Sequence, residues 1–424
     1  MLLLALAAAL GQFEAHADLG PSAAAGTATY NGATQEYVLR PGGTPHFAWK
    51  RLKGDFILQA SVEFLEKEPG PQASAGLVVR TGTRGGTSFA GVVVRNDRLA
   101  VIQYRVLEGA LNEQSESTLT TGDVIQLERR GSVYYFSAAR FGVPLYTRQR
   151  ADLPLGNDLY VGLAATTPTL FRNVRITRSA KEGAVLGSQL ELLDVETGAR
   201  QIVYRSPQPF ESPSWTPDGS ALTFTTRAGA GADARRRLVR FDLLTRQASP
   251  LNADISTRND SWSPDGQYRL FVTGTGTELD IFRTDVEGLA PELRLTATKG
   301  LDAAPEYAPD GETVYFNSAR SGKMQVWRMG AQGQNPQAVT TDDFNNWYPH
   351  VSPDGKWLAM LTYDGGIAPT QRPSYKHVYV RVMPIEGGVP KVIAYVYGGE
   401  GTLNVPSWSP DGKQIALVSS SDLP

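Results

Sequence analysis

Five copies of a Pro-Asp-Gly turn constrain the fold of this chain more than any other feature. They occupy residues 217–219, 264–266, 309–311, 353–355 and 410–412. In such a turn Pro fixes φ at the first corner, and Gly tolerates a positive φ. The Asp side chain can accept a hydrogen bond from the backbone N–H of a residue further along the chain. Apolar segments follow each turn, as residues 415–418 follow the last one. The pattern predicts five β-hairpins in a repeat protein.

A second pair of short strands follows each of the first four hairpins, in residues 237–249, 279–295, 324–339 and 378–394. Hairpin and pair together make a four-stranded antiparallel unit of about 45 residues, which is typical of one β-propeller blade. The last hairpin supplies only the first two strands of a blade, whereas residues 188–204 supply only the last two. Pairing these terminal strands would complete one blade, so the repeats predict a five-bladed propeller closed by its own ends.

The rest of the chain divides into three further segments. Residues 18–177 show many short alternating strands, separated by turn signals such as Asn96-Asp97 and Arg130-Gly131, which predicts a β-sandwich. Residues 178–187 are the predicted linker, and residues 188–424 the propeller. Residues 1–17 contain a short apolar run that ends in Ala15-His16-Ala17, a pattern typical of a signal peptide and its cleavage site. We therefore expect a periplasmic or secreted protein without a membrane span after cleavage.

Composition excludes several classes of site. The chain has no Cys and only 4 His, which excludes disulfides, thiol nucleophiles and Cys-ligated metals and argues against a His-rich zinc centre. Lys+Arg 41 against Asp+Glu 43 provides no large basic field, so nucleic acid is not expected as a partner. No cofactor is predicted, a divalent metal held by mixed ligands stays open, and the sequence does not determine the oligomeric state.

The phrase Trp408-Ser409-Pro410-Asp411-Gly412, together with residues 317–322, resembles the repeat of TolB-type propellers, and the resemblance extends over residues 188–423. Because most proteins of that type look six-bladed, six blades are the alternative. The N-terminal region resembles concanavalin A-like and laminin G-like jelly rolls in residues 52–58, 126–131 and 161–163. The resemblance implies exported bacterial proteins whose jelly rolls commonly bind sugars on aromatic rings. Candidate rings here, which could equally fill the sandwich core, are Phe47, Trp49, Tyr104, Tyr134 and Tyr135.

In a propeller, the loops before the innermost strands converge on one end of the axis, here called the mouth, opposite the Pro-Asp-Gly turns. The richest of these loops is residues 345–350, and the blade after it carries the longest insertion, residues 364–376. Amides, charged groups and an aromatic ring together are typical of a sugar site. The predicted ligand-binding residues are Asn345, Asn346, Trp347, Arg372, Tyr375, His377, Glu211, Asp260 and Asn404. The candidates for acid–base chemistry are His350, Glu306 and Asp302.

Two functions are consistent with these features. The first is a non-catalytic binding module that recognises a glycan or a cell-envelope protein through the propeller mouth and the jelly roll. The alternative is a carbohydrate-active enzyme, a polysaccharide lyase or glycoside hydrolase, with its site at the mouth. A peptidase is excluded because the Gly-x-Ser-x-Gly nucleophile motif is missing.

Overall fold

The computed structural model of the protein describes residues 10–111, 113–116, 122–150, 153–228, 235–254, 261–287 and 291–421. Within these ranges the regular structure is β, with a short 3-10 helix at Glu400–Thr402. The predicted all-β class is therefore confirmed. The chain forms two compact units, Met1–Lys181 and Glu182–Asp422, which are described separately below.

The first unit contains two seven-stranded antiparallel sheets. The strands are β1 (Ala15–Asp18), β2 (Thr27–Asn31), β3 (Glu36–Arg40), β4 (His46–Lys53), β5 (Phe56–Phe64), β6 (Ser74–Arg80), β7 (Phe89–Arg95), β8 (Ala100–Arg105), β9 (Glu113–Glu116), β10 (Val124–Arg130), β11 (Val133–Ala139), β12 (Tyr146–Arg150), β13 (Asp158–Ala165) and β14 (Thr169–Thr177). The first sheet has the order β1-β4-β13-β6-β7-β8-β9 and the second the order β12-β11-β10-β5-β14-β3-β2. Alternate residues of both sheets, such as Leu77 and Leu127, share one buried core.

Residues at the predicted signal-peptide cleavage site belong to a strand of this unit. Strand β1 pairs with β4 from Ala15↔Trp49 to Asp18↔His46. The His46 ring, almost fully buried, contacts Asp18 Oδ1 at 2.7 Å and His16 Nδ1 at 2.9 Å. Cleavage after Ala17 would remove three of the four β1 residues from the sheet. The cleavage site stays a prediction, and residues 1–9 lie outside the described part of the chain.

The second unit is built from small antiparallel sheets. Its strands are β15 (Ser188–Asp194), β16 (Arg200–Ser206), β17 (Phe210–Trp215), β18 (Ala221–Ala228), β19 (Arg235–Asp242), β20 (Ala248–Asp254), β21 (Ser261–Trp262), β22 (Tyr268–Thr275), β23 (Glu278–Asp285), β24 (Leu293–Arg294), β25 (Asp302–Tyr307), β26 (Thr313–Ser318), β27 (Gln325–Gly330), β28 (Gln337–Ala338), β29 (Asn345–Val351), β30 (Trp357–Tyr363), β31 (Lys376–Pro384), β32 (Lys391–Gly398) and β33 (Gln414–Ser420). Strands β17 to β32 form four consecutive four-stranded sheets, and β16-β15-β33 form a three-stranded sheet. The first and last strands of the unit pair from Ser188↔Ser420 to Asp194↔Gln414, so the two ends of the repeat region share a sheet.

The Pro-Asp-Gly turns have the geometry that their residues predict. The five glycines have nearly the same positive φ, from 69° at Gly219 to 71° at Gly412. In the last turn Asp411 Oδ1 accepts hydrogen bonds from Ser409 Oγ and Lys413 N, at 2.6 and 3.1 Å. These bonds hold the pKa of Asp411 below its ordinary value. The turn aspartates therefore have a structural role.

Candidate functional site at the propeller mouth

The innermost strand β29 is buried along its whole length and contains a bulge. Its pairing with β30 shifts register between Trp347 and His350, and Tyr348, which precedes Pro349, has a φ of 56°. The same combination of a register shift and a positive φ before Pro recurs at Ser212 in β17 and Ala304 in β25. A left-handed conformation costs a non-glycine residue about 1–2 kcal/mol, so these bulges must be held in place by their surroundings. Bulges redirect side chains, and here they set where the mouth residues point.

In two repeats the residue three positions before the turn proline links neighbouring sheets through its side chain. Ser261 Oγ accepts a hydrogen bond from Tyr307 N of the next sheet at 3.2 Å. Glu306 occupies the equivalent position one repeat later, and its Oε1 accepts from Val351 N of the next sheet at 3.0 Å. His350 occupies this position in the following repeat. Glu306 and His350 therefore occupy a repeat position at which side chains can hold neighbouring sheets together.

Glu306 and His350 also bind each other. Glu306 Oε2 lies 2.5 Å from His350 Nδ1, and the other ring nitrogen lies 3.2 Å from the carbonyl oxygen of Leu403. Because a carbonyl can only accept, His350 Nε2 is the donor in the contact with Leu403. Their side chains are 13% and 5% exposed. Both nitrogens of the predicted acid–base residue are thus engaged within the protein.

Two further predicted site residues also bond within the protein. Asp302 is 1% exposed, and its Oδ2 accepts from Arg320 Nη2 at 2.9 Å and from Thr298 Oγ1 at 3.0 Å. Asn345 accepts from Met324 N at 2.9 Å and donates to Ile367 O at 2.8 Å.

Asn346 is fully buried in a network of side chains from three strands and a loop. Its Nδ2 donates to Asp342 Oδ1 at 3.0 Å, and its Oδ1 accepts from Thr362 Oγ1 at 2.8 Å and from Arg381 Nη1 at 3.1 Å. Arg381 Nη2 also binds Asp342 Oδ2 at 2.6 Å. These bonds rigidify the sheet and leave the Asn346 amide with no group free for a ligand.

A second set of residues offers more to a ligand. We call Trp347, Tyr348, Tyr363, Arg372 and Glu400 the mouth cluster. Tyr348 Oη donates to Glu400 Oε1 at 2.9 Å and accepts from Arg372 Nη1 at 3.2 Å. The Arg372 guanidinium lies 4.7 Å from the centroid of the Trp347 ring, a cation–π contact, and is part-exposed like Glu400. Burial, reinforced by the negative charge of Glu400, raises the pKa of both Tyr348 and Tyr363.

Three buried polar atoms at or beside this cluster have no hydrogen-bond partner among the described residues. They are Trp347 Nε1, Tyr363 Oη and Asn404 Oδ1. Each such atom costs about 1–3 kcal/mol when it stays unsatisfied. Two of them are donors that a ligand oxygen could satisfy. Because Trp347 and Tyr363 are both 0% exposed, a ligand oxygen could reach these donors only if a neighbouring side chain moved.

The remaining predicted residues have separate contacts. Glu211 packs against the 3-10 helix, because a Cβ on Gly401 would lie 2.6 Å from Glu211 Cβ. Tyr375 Oη accepts from Leu186 N at 3.0 Å, and the His377 ring lies 5.4 Å from the ring of Tyr397. Asp260 lies outside the described residues.

Sequence reasoning placed Tyr348 and Glu400 in loops of the predicted mouth without giving either an individual role, and it did not single out Tyr363. Tyr348 could have been found by aligning the repeats, because it precedes a Pro as Ser212 and Ala304 do. All three residues have a left-handed conformation. Tyr363 is the last residue of β30 and carries no such signal.

Among the described residues no group of three or more His, Asp or Glu could hold a metal ion. The same part of the chain has no helix with the length and hydropathy to cross a membrane.

Residues 172–378 match the family model of the TolB β-propeller domain. This part of the chain is therefore similar to a TolB-type β-propeller domain. The chain is 28% identical over 280 residues to an uncharacterized protein of Agrobacterium fabrum. This alignment covers 57% of the present chain and 94% of the Agrobacterium protein. The chain is 34% identical over 163 residues to the Tol-Pal system protein TolB of Bordetella pertussis.

The TolB-type match to the Bordetella protein covers 38% of this chain and 36% of that protein, so the chain spans about a third of its length. A solved structure described provisionally as TolB from Agrobacterium tumefaciens aligns with 26% identity and a TM-score of 0.46. The alignment covers 56% of the present chain and 99% of the chain in that solved structure.

Proposed function

We propose that this protein is an exported, non-catalytic recognition module that binds a glycan at the mouth cluster. One observation carries the proposal: the best acid–base candidates, Glu306 and His350, are bonded to each other and to neighbouring sheets. The buried donors of Trp347 and Tyr363, in contrast, have no partner among the described residues. A site with unused donors, whose predicted acid and base are held by other parts of the protein, is better suited to binding than to turnover.

The proposed architecture is a five-bladed propeller preceded by a concanavalin A-like or laminin G-like jelly roll. Pairing of β15 with β33 supports closure of the ring through its own ends. The bonds from Ser261 to Tyr307 and from Glu306 to Val351 support consecutive packing of the sheets as blades. Two seven-stranded sheets around one core support the jelly roll.

The chemistry of the mouth cluster supports a glycan as the ligand. Hydroxyl oxygens can accept from Trp347 Nε1, Tyr363 Oη and Arg372, while Glu400 can accept from a hydroxyl. The name of the Bordetella relative, a Tol-Pal system protein, supports a place in the cell envelope, periplasmic or secreted, where an envelope protein is the other kind of partner.

A carbohydrate-active enzyme is the second candidate, and the 2.5 Å contact between Glu306 and His350 is the observation that favours it. A carboxylate paired with an imidazole can move a proton. For a lyase or hydrolase at this site, however, Glu306 would have to leave Val351 N and turn toward the mouth.

The proposal is tested by a glycan array on the full chain, followed by affinity measurements on the glycans it binds. Arg372→Ala removes a donor and the cation over Trp347, and we expect it to weaken binding by about tenfold or more. Lys356→Ala, an exposed residue beside the fourth Pro-Asp-Gly turn, is the matched control and should leave affinity unchanged. Equal affinity of the Arg372→Ala variant and the parent would contradict the site. If the chain binds no glycan on the array, an envelope protein becomes the favoured partner.

A further inference from the structure

Three polar side chains form a line of contacts at the edge of the first sheet. The buried His46 ring is in the middle, with Nδ1 2.7 Å from Asp18 Oδ1 and Nε2 2.9 Å from His16 Nδ1. Asp18 Oδ2 also accepts a hydrogen bond from Gly26 N at 2.9 Å. We call Asp18, His46 and His16 the His–Asp cluster. It joins β1, which contains Asp18 and His16, to β4, which contains His46.

The Asp18 carboxylate fixes the hydrogen positions of both rings at neutral pH. Hydrogen bonds from Gly26 N and from His46 hold the pKa of Asp18 below its ordinary value, so the group is ionised and can only accept. His46 Nδ1 is therefore a donor, and the Nε2 of the neutral His46 ring is an acceptor. It follows that His16 Nδ1 donates to His46 Nε2.

The cluster can take up one proton without losing a contact, but not two. After one proton is added, the contact between His46 Nε2 and His16 Nδ1 still pairs a donor with an acceptor, whichever ring is charged. A second proton would make both nitrogens donors and place two cationic rings 2.9 Å apart. In the unfolded chain each ring takes a proton independently near pH 6.5. Below about that pH the folded cluster therefore binds fewer protons than the unfolded segment.

The surroundings of the cluster bring no further counter-charge to the two rings. The loop from residue 19 to residue 26 and strand β2 contain no charged residue. On β13 the residue opposite His46 is Ala165. The next charged positions along the same face of β1 and β4 are Glu14 and Lys50. Glu14 Oε2 accepts from Arg51 N at 3.3 Å. Asp18 is thus the anion on which the cluster depends.

Acid should weaken the attachment of β1 to the sheet. Burial and the charge of His46 lower the pKa of His16, although Asp18 acts in the opposite direction. A histidine whose pKa is lowered by folding stabilises the folded state above about pH 6.5, and this contribution is lost as the pH falls below that value. Each proton that only the released segment binds raises the equilibrium constant for local opening about tenfold per pH unit.

The position of β1 allows it to open without the rest of the unit. It is the first strand in the sheet order and pairs with β4 alone. The segment before it is held separately, because Phe13 is buried in the sandwich core with its ring 5.1 Å from that of Tyr37. Gln12 N also donates to Tyr37 Oη at 2.8 Å. Release of β1 would therefore leave this anchor in place and uncover the backbone edge of β4.

We propose that the His–Asp cluster is an acid-sensitive switch, which holds β1 on the first sheet at neutral pH and releases it below about pH 6. The device belongs to the first unit. It goes beyond the function proposed for the mouth and does not depend on it.

The test is hydrogen exchange by mass spectrometry on the full chain, with exchange rates corrected for their intrinsic dependence on pH. The opening constant of residues 14–19 should rise about tenfold or more between about pH 6.5 and pH 5. Strand β5, in the middle of the second sheet, should keep its protection. Equal opening of residues 14–19 at both pH values, or an equal loss of protection in β5, would overturn the proposal.

A variant separates titration of the cluster from its packing. His16→Gln keeps an N–H donor for His46 Nε2 but cannot take up a proton, so β1 should stay attached and most of its pH dependence should disappear. His377→Gln, in the second unit, is the matched control and should keep the pH dependence of the parent. A pH dependence that survives unchanged in His16→Gln would refute the switch.

Two further measurements do not require a variant. In an NMR titration the rings of His16 and His46 should together take up one proton while β1 stays protected, and uptake of two protons by the closed cluster would refute the proposal. N-terminal sequencing of the exported protein is the second measurement. A mature chain that keeps His16 supports the switch, whereas one that begins at Asp18 lacks half of the ring pair and overturns it.

Discussion

Removal of the Glu306 side chain should destabilise the propeller unit, since this residue joins two sheets. Glu306→Ala deletes the acceptor of Val351 N, which lies 3.0 Å away, and the partner of His350 Nδ1, which lies 2.5 Å away. Val351 and His350 are 8% and 4% exposed, so water has little access to the donors left behind. An enzyme residue held ready for substrate would cost far less stability when removed.

The magnitude follows from the two bonds. A buried donor without a partner costs about 1–3 kcal/mol, and one in a charge-assisted bond costs somewhat more. Together they predict a loss of about 3–5 kcal/mol for Glu306→Ala, in the range found when one partner of a buried pair is removed. Glu306→Gln keeps an acceptor for Val351 N and loses only the charge, so it should cost about 1–2 kcal/mol.

Urea denaturation of the full chain, followed by tryptophan fluorescence, measures this loss, because 6 of the 7 Trp lie in the second unit. With typical denaturant slopes the Glu306→Ala midpoint should fall by about 1–2 M. Glu312→Ala, at an exposed residue in the turn between β25 and β26, is the control. A double-mutant cycle of Glu306→Gln with His350→Gln should give a coupling of about 0.5–3 kcal/mol. A Glu306→Ala midpoint equal to that of the control would refute the reasoning.

Three further predictions concern the turns and the mouth. Hydrogen bonds from Thr216 and Ser220 lower the pKa of Asp218 from 3.8 to about 2, so its contribution to stability is complete above about pH 4 and is lost as the pH falls toward 2. The stabilities of the parent and Asp218→Asn, measured across an acid titration, should therefore differ above pH 4 and become equal near pH 2. A difference in stability that stays constant with pH would contradict this. Gly355→Ala meets no atom within 4 Å but has a φ of 70°, so thermal melting should reveal a cost of about 1–2 kcal/mol from backbone conformation alone. An unchanged melting temperature would argue against the turn geometry. Tyr363→Phe removes a buried hydroxyl without a described partner, so it should raise stability by about 1–3 kcal/mol and weaken ligand binding; a loss of stability would mean that the hydroxyl is bonded within the protein.

The sequence carried most of the information on the second unit's fold. Five turns with the same residues predict five hairpins because Pro, Asp and Gly each fix a local feature, and all five glycines have the expected φ. Pairing of β15 with β33 was predictable from the incomplete units at the two ends of the repeats. Local turn chemistry and strand count suffice for inferences of this kind.

The roles of individual site residues were much less predictable. Glu306 and His350 have residue types suited to catalysis, and only the contacts reveal that both link sheets. A comparison of repeats offers a partial signal, since Ser261 occupies the same position and performs the same bonding. Tyr363 and Glu400 depend on contacts between distant segments, which periodicity does not encode.

The most direct test of recognition without turnover is product analysis after long incubation of the full chain with a glycan that it binds. The binding-module function predicts intact glycan, without new reducing ends or unsaturated products, for both the parent and His350→Gln. New reducing ends or unsaturated sugars from the parent that disappear with His350→Gln would contradict it and make the protein an enzyme.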